Sequence, residues 1–164
     1  MTGRSARFAL PFLLPGQAQK EHFHNEALAA LDGLIHAAVE GIELTPPAGP
    51  DDGESWLVGT GGSGAWAGQD DALACFTSGG WRFLVPVEGM IVWDKAAGFS
   101  RRWTGTVWSD GSIKVSAVEI GGARVVGPRQ PDIPNPAGGT TSDSEARAAI
   151  SAIIVTLKSH GLID

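Results

Sequence analysis

The placement of the tryptophans is the feature that most constrains the fold. The 164-residue sequence contains six Trp and 23 Gly, and every Trp falls between Trp56 and Trp108. Across this Trp window and beyond it, from about Ser55 to Val126, short apolar runs alternate with Gly and Asp. Gly permits the positive φ that tight turns need. The pattern therefore predicts a meander of six to eight short antiparallel strands.

Three turns between Ser55 and Val126 predict β-hairpins, because each separates two apolar runs. They lie at residues 77–80, 94–98 and 109–112. The indole rings either supply core bulk to a small sheet or lie exposed and stack on sugar rings. Trp suits both roles, since its large face is apolar while its N–H can reach a polar group. Trp66, Trp81 and Trp103 are the candidates for glycan stacking.

Helices are predicted on either side of the Trp window. Between Gln17 and Val39, apolar residues recur every three or four positions, which indicates a helix with one buried face. Near the C-terminus, Ser142 and Glu145 have the spacing of a capping box, with Ser142 as the N-cap. Gly161 stands where a helix of the Schellman type ends. The sequence thus predicts one helix at each end.

The C-terminal helix also has the spacing of a coiled coil. Ala146, Ile150, Ile153 and Leu157 are separated by four, three and four positions, as the a and d residues of a heptad are. An isolated helix of about 18 residues is only marginally stable in water. This helix must therefore pack on its own domain or on a copy of itself, and the pattern leaves both open.

Four Pro between Pro128 and Pro136 predict an extended arm, because Pro fixes φ and removes a hydrogen-bond donor. The expected fold is α+β: an N-terminal helix, a small antiparallel β-rich domain, a proline-rich arm and a C-terminal helix. Residues 1–126 are expected to form one domain, with the N-terminal arm and helix and the Trp/Gly-rich sheet. Residues 127–164 are expected to form the second, with the Pro-rich arm and the heptad-like helix.

Charge and composition exclude several classes of protein. A net charge of −6 argues against a protein whose main partner is nucleic acid. No run reaches the roughly 18 apolar residues of a transmembrane helix, so we expect no membrane insertion and synthesis in the cytoplasm. The single Cys75 excludes an intramolecular disulfide and a multi-cysteine zinc site. Its apolar neighbours predict a buried thiol.

The sequence does not point to catalysis. It has no Gly-x-Ser-x-Gly elbow, and His22 and His24, two apart on a helix, point to different sides. Acidic pairs at 51–52 and 70–71 flank Gly-rich turns, where carboxylates typically cap the turn, although a glycosidase would also need two facing carboxylates. We expect no catalytic residue, no metal and no cofactor.

Specific residues add a resemblance to a known family. The run LPFLLPGQAQKE at 10–21, followed by HNEAL at 24–28, resembles the opening of a phage-associated family of unknown function. That family occurs in alphaproteobacterial prophages and gene transfer agents. The resemblance continues through GAWAG at 64–68 and GWRF at 80–83, and it covers residues 8 to about 108. The Ala-rich helix ending in HGLI at 160–163 is similar to the C-termini of phage fibre and spike proteins.

The resemblance implies a non-enzymatic component of a phage-like particle assembled in the cytoplasm. It would be a head spike or fibre base, or a connector at a capsid vertex, that helps attachment to the recipient's surface polysaccharide. The implied partners are copies of the chain, as a pentamer at a vertex or a trimer in a fibre, and the capsid or other spike and fibre proteins. The alternatives are a carbohydrate-binding adhesin module and, ranked below it, a glycan-cleaving enzyme.

Oligomer or capsid contacts are expected on both helices. The candidates on the first helix are polar, and those on the last helix belong to its heptad pattern. They are Gln17, Gln19, Lys20, His24, Asn25, Ile150, Ile153 and Leu157.

Overall fold

A computed structural model gives the fold and describes residues 3–13, 16, 20–140 and 143–164. The chain divides into two compact units, Met1–Ser112 (unit 1) and Ile113–Asp164 (unit 2). The described residues contain two α-helices and nine short strands, which confirms the α+β class. The domain division predicted after Val126 falls inside unit 2.

Helix α1 (Lys20–Leu34) follows the N-terminal arm of unit 1. Gln17, the predicted start, lies outside the described residues, and the helix ends before the predicted Val39. His36 has a positive φ of 46°, which interrupts the helical backbone. The guanidinium of Arg7 donates to the carbonyls of Asp32, Ile35 and His36. These contacts satisfy carbonyls that the end of a helix leaves without partners.

Two small sheets form the body of unit 1. One has the order β2–β3–β4–β5 and the other the order β1–β6–β7. The first contains β2 (Ile42–Glu43), β3 (Ser55–Val58), β4 (Leu73–Thr77) and β5 (Gly80–Leu84). The second contains β1 (Ala38–Val39), β6 (Ile91–Asp94) and β7 (Phe99–Arg102). The pairs β1–β6 and β2–β3 are parallel, and the other pairs are antiparallel.

Two of the three predicted hairpins are confirmed, namely β4–β5 and β6–β7. The third is wrong, because Trp108 pairs back with Trp103 and residues 113–117 form no strand. A hairpin of β8 (Val118–Ile120) and β9 (Ala123–Val126) turns instead at Gly121 and Gly122, both at positive φ. Between Ser55 and Val126 the structure has seven strands, which confirms the predicted six to eight, and the two-residue strands β1 and β2 lie before this stretch.

Strand β3 lies between two apolar clusters, and all four of its residues are buried. Leu57 joins Val39, Leu73 and Val92 in one cluster. On the opposite face, Trp56 and Val58 join Trp66 and Ala74 in the other. Because successive side chains of a strand alternate between faces, one short strand supplies both parts of the core.

Unit 2 contains the β8–β9 hairpin, the Pro-rich arm (127–139) and helix α2 (Ser144–Ser159). Asp143 rather than Ser142 is the N-cap, and its side chain accepts from the amide of Ala146 at 2.9 Å; Ser142 lies outside the described residues. The predicted Schellman end is confirmed by two hydrogen bonds. The Leu162 N–H donates to the Leu157 carbonyl (3.0 Å), and the Gly161 N–H donates to the Lys158 carbonyl (2.9 Å).

The part of the chain that the structure describes contains no candidate membrane-spanning helix. Neither helix there combines the length and the apolar character that crossing a membrane requires.

Candidate interaction surfaces

The N-terminal arm, meaning the described residues that precede helix α1 (3–13 and 16), is bound to the helix by the buried carboxylate of Asp32 and by the amide of Asn25. Asp32 accepts hydrogen bonds from the Ser5 hydroxyl (2.6 Å) and from the backbone amides of Arg7 (2.8 Å) and Phe8 (2.7 Å). Asn25, two turns earlier, accepts from the Leu13 amide (2.9 Å) and donates to the Leu13 carbonyl (3.1 Å). Asn25 and Asp32 therefore share a face of α1, and that face binds the arm.

The apolar stripe of α1 faces away from the core, which corrects the prediction of one buried apolar face. Phe23 is 78% exposed, and Ala27, Leu31 and Leu34 are exposed as well. These four residues lie on one side of the helix at spacings of four, four and three. We call them the α1 stripe. The buried side instead carries polar and small residues, namely Asn25, Ala29, Asp32 and Gly33.

The polar interface candidates on α1 have different environments. Gln17 and Gln19 lie outside the described residues, and Lys20 is the first residue of α1. His24 is exposed, so its predicted interface role stays a prediction. The Asn25 amide is bound to the arm of its own chain, as described above. The sequence did not lead us to Asp32. Its spacing of seven residues from Asn25 places both polar side chains on one face of the helix, and this could have indicated a shared role.

Two of the three tryptophans predicted to stack on sugars are buried. Trp66 packs edge-to-face against Trp81 with ring centroids 5.1 Å apart, and Trp56 lies 6.4 Å from Trp66. Trp66 and Trp103 are both buried, so neither ring offers a face to a sugar and the prediction is wrong for them. Trp81 is half-buried, with edge-to-face contacts also to Trp56 and Phe76.

The exposed tryptophan is Trp93, which the sequence analysis did not select. It is 47% exposed on strand β6, opposite Ser100 on β7 and Ala38 on β1. Its neighbours on the same strand, Val92 and Asp94, are buried. The alternation of side chains along a strand could have identified Trp93 as exposed. The sequence suggests the opposite face, however, because an Asp is expected in solvent and Asp94 is instead buried.

Helix α2 contacts the Pro-rich arm through its two cationic side chains. Arg147 donates to the carbonyls of Pro136 (2.9 Å) and Gly138 (2.5 Å). Lys158 forms an ion pair of 2.5 Å with Asp132. Among the described residues of unit 2, burial is limited to Ile154 and Ile163. The predicted contact residues Ile150 and Ile153 are exposed, while Leu157 is half-buried.

Several acidic residues of unit 1 hold turns or pair with arginine. Asp70 accepts from the amides of Gly61 and Gly62, both at 3.0 Å, as predicted for a turn cap. Glu26 forms two bonds with Arg82, of 2.7 and 3.0 Å, and the hydrogen bond from Arg82 lowers the pKa of Glu26. In the part of the chain that is described, no three His, Cys, Asp or Glu side chains form a metal-binding group.

Cys75 is buried in strand β4, as its apolar neighbours predicted. Burial raises the pKa of its thiol. A protonated thiol without access to solvent is a poor nucleophile, so Cys75 serves as a small core residue.

Comparison with known families gives one match. The model of a family described as "Protein of unknown function (DUF2793)" matches residues 24–109, which is just over half of the chain. The matched segment begins within α1 and includes every strand of unit 1. No curated protein matches the chain. Since the family model covers the sheets and most of α1, the chain belongs to the DUF2793 family.

Proposed function

We propose that the protein is a non-enzymatic, homo-oligomeric component of a phage-like particle. It serves as a spike or fibre base, or as a connector. The observation that carries this proposal is that each unit exposes an apolar surface: the α1 stripe in unit 1 and one side of helix α2 in unit 2. A connector needs two such surfaces, one to join its own copies and one to join the particle.

Unit 2 has too small a core of its own to be stable alone. A two-stranded hairpin is marginal in water, and so is a single helix of this length. All residues of β8 and β9 are exposed, and buried side chains are few, as described above. Small units of this kind usually need oligomerisation or another staple. Association with identical chains supplies the missing apolar contacts.

Unit 1 has a complete core and still exposes the α1 stripe. Large exposed apolar patches typically mark protein interaction sites. The stripe is held rigidly, because Asp32 and Asn25 fix the opposite side of the helix to the arm. A rigid apolar helix face suits docking on another protein. We assign it to the contact with the capsid or with another spike or fibre protein.

The assignment to a phage-like particle rests on resemblance. The PGQAQKE run and the HNEAL motif are similar to a family of prophages and gene transfer agents, and the C-terminal helix is similar to those of fibre and spike proteins. The exposed surfaces are compatible with such a role. Membership in DUF2793 by itself carries no activity.

A test of this proposal measures incorporation into particles. The double variant Phe23→Ser/Leu31→Ser, expressed in place of the native protein, should assemble in solution as the native protein does. It should be at least tenfold depleted in purified particles, as measured by immunoblot. Val107→Ser is the matched control, because Val107 is also an exposed apolar residue of unit 1 but lies outside α1. Absence of the native protein from purified particles would overturn the proposal.

Trp93 favours a second candidate function, a carbohydrate-binding adhesin. Its ring lies on an open sheet face beside the small side chains of Ser100 and Ala38, which leave room for a sugar to stack. Recipient-cell polysaccharide should then change the Trp fluorescence of the native protein but not that of Trp93→Ala. An unchanged native spectrum would rule out this candidate.

A further inference from the structure

Helix α2 has two sides with different surroundings. One side carries Arg147, Ile154 and Lys158, which share a face at spacings of seven and four. Arg147 and Lys158 bind the Pro-rich arm, and Ile154 is buried. This side is therefore already occupied by unit 2 itself.

The adjacent side of α2 is open and uncharged. It carries Ala146, Ala149, Ile150, Ile153 and Leu157; the first four are exposed, and Ile153 is 59% exposed. Both basic side chains of the helix are turned to the arm. Identical copies could therefore meet along this side without bringing like charges together, a repulsion that would oppose symmetric association.

The identities of the apolar residues specify how many helices can meet. In the heptad, Ile150 and Leu157 take a positions, whereas Ala146 and Ile153 take d positions. Ile at both a and d, or Leu at a with Ile at d, favours three or four strands over two. Both combinations occur here, since Ile153 is preceded by Ile150 and followed by Leu157. A pair of helices would need Leu rather than Ile at d.

We propose that α2 forms a parallel three-helix bundle with the α2 helices of two further copies. This inference rests on the self-association in the proposed function and names its partner and copy number. Three copies related by a closed rotation are necessarily parallel. Each helix then presents its a and d residues to the axis of the bundle. The side that carries Arg147 and Lys158 stays in contact with the Pro-rich arm of the same chain.

The first experiment measures the mass of the full chain in solution by light scattering. We expect three times the 17.0 kDa of one chain. Ile153→Asp places a charge at the axis and should reduce the mass to that of one chain. Val155→Asp is the matched control, because Val155 is 64% exposed on a different side of the same helix; it should leave the trimer intact.

A second experiment changes the copy number without changing composition. Ile153→Leu/Leu157→Ile exchanges two residues of equal size and places Leu at d between Ile residues at a. This arrangement favours two strands, so the mass should fall from three chains to two. Because apolar volume is preserved, a folding defect is not the expected cause of the change.

The outcomes separate this inference from the proposed function. A native mass of four or five chains, or a native dimer, overturns the trimer while particle incorporation can still be confirmed. A native monomer overturns both the trimer and the self-association. A trimer that Ile153→Asp leaves intact shows that α2 is not the contact.

Discussion

Single buried polar residues fix the path of the chain in unit 1, and Asp94 shows how. It is buried at the end of β6 and accepts from the Ala97 amide (2.9 Å) and from Nε of Arg101 (2.6 Å). Burial opposes ionisation of Asp94, but the Ala97 amide and the Arg101 guanidinium outweigh burial and lower its pKa. The carboxylate thus closes the β6–β7 turn in its charged form.

This lowered pKa predicts a pH-dependent loss of stability. The native state binds fewer protons than the unfolded state, so the stabilisation is fully present above the ordinary Asp pKa of about 4 and is lost as the pH falls through the lower native value. Asp94→Asn should lower the urea midpoint at neutral pH and make the decline below about pH 4 shallower. Trp fluorescence during urea unfolding at several pH values measures both effects.

The loss of stability in acid should become shallower in Asp94→Asn rather than vanish, because Glu26 also has a lowered pKa. Asp52→Asn is the control. Because Asp52 is exposed, this variant should lose stability in acid as the native protein does. An Asp94→Asn profile parallel to the native one would contradict this account.

At the scale of elements, helix α1 approaches strand β4 so closely that only Gly fits at the contact. A Cβ at Gly33 would lie 2.8 Å from Sγ of Cys75 and 3.3 Å from a methyl carbon of Leu84. The first distance is too short for a van der Waals contact, and buried Cys75 has little room to move. Gly33 thus sets the spacing of the helix on the sheet.

Gly33→Ala should therefore destabilise unit 1, although Ala favours a helix interior by about 1 kcal/mol. Overpacking a core typically costs about 1–3 kcal/mol, so we expect a net loss, measured by urea unfolding. Removing Sγ with Cys75→Ala should relieve the clash. The double variant should then be more stable than the two single changes predict together. Purely additive effects would show that Cys75 is not the residue in conflict.

The elements themselves could largely be predicted from the sequence, but their orientation could not. Both helices, two hairpins and the Schellman end follow from local signals. The α1 stripe is exposed, contrary to the prediction, because the side of the helix that faces the core carries Asn25 and Asp32. A prediction from amphipathic periodicity assumes that polar residues face water. The third hairpin was misplaced because Trp108 folds back, its indole Nε1 donating to the Asp71 carbonyl at 2.9 Å. That contact is long-range and has no local signature.

At the scale of the whole molecule, the two units differ in what stabilises them. Unit 1 has two apolar clusters around β3, whereas unit 2 has an exposed hairpin and a helix with little buried surface. Which side chains of a unit lie at its surface depends on tertiary burial, which explains why Trp66 and Trp103 were wrong as stacking candidates, while Trp81 stays a prediction. The heptad spacing in α2, by contrast, is visible in the sequence and coincides with an exposed side.

This difference predicts two unfolding transitions that respond differently to protein concentration. The trimer proposed for α2 would stabilise only the folded, assembled state, so the loss of α2 helicity should shift upward by several degrees over about a hundredfold rise in concentration. The transition of unit 1 should stay constant. Far-UV circular dichroism measures the first transition. In Ile153→Asp, the concentration dependence should disappear; its persistence there would implicate a surface other than α2.

The uneven distribution of aromatic residues has a practical consequence for such measurements. Every Trp and Phe lies before Ser112, and the chain has no Tyr. Emission from the native protein therefore originates in unit 1, and unit 2 is optically silent above the far ultraviolet. A denaturation curve recorded by fluorescence alone would show the transition of unit 1 and overlook that of unit 2. Recorded together, fluorescence and circular dichroism resolve the two units without any added label.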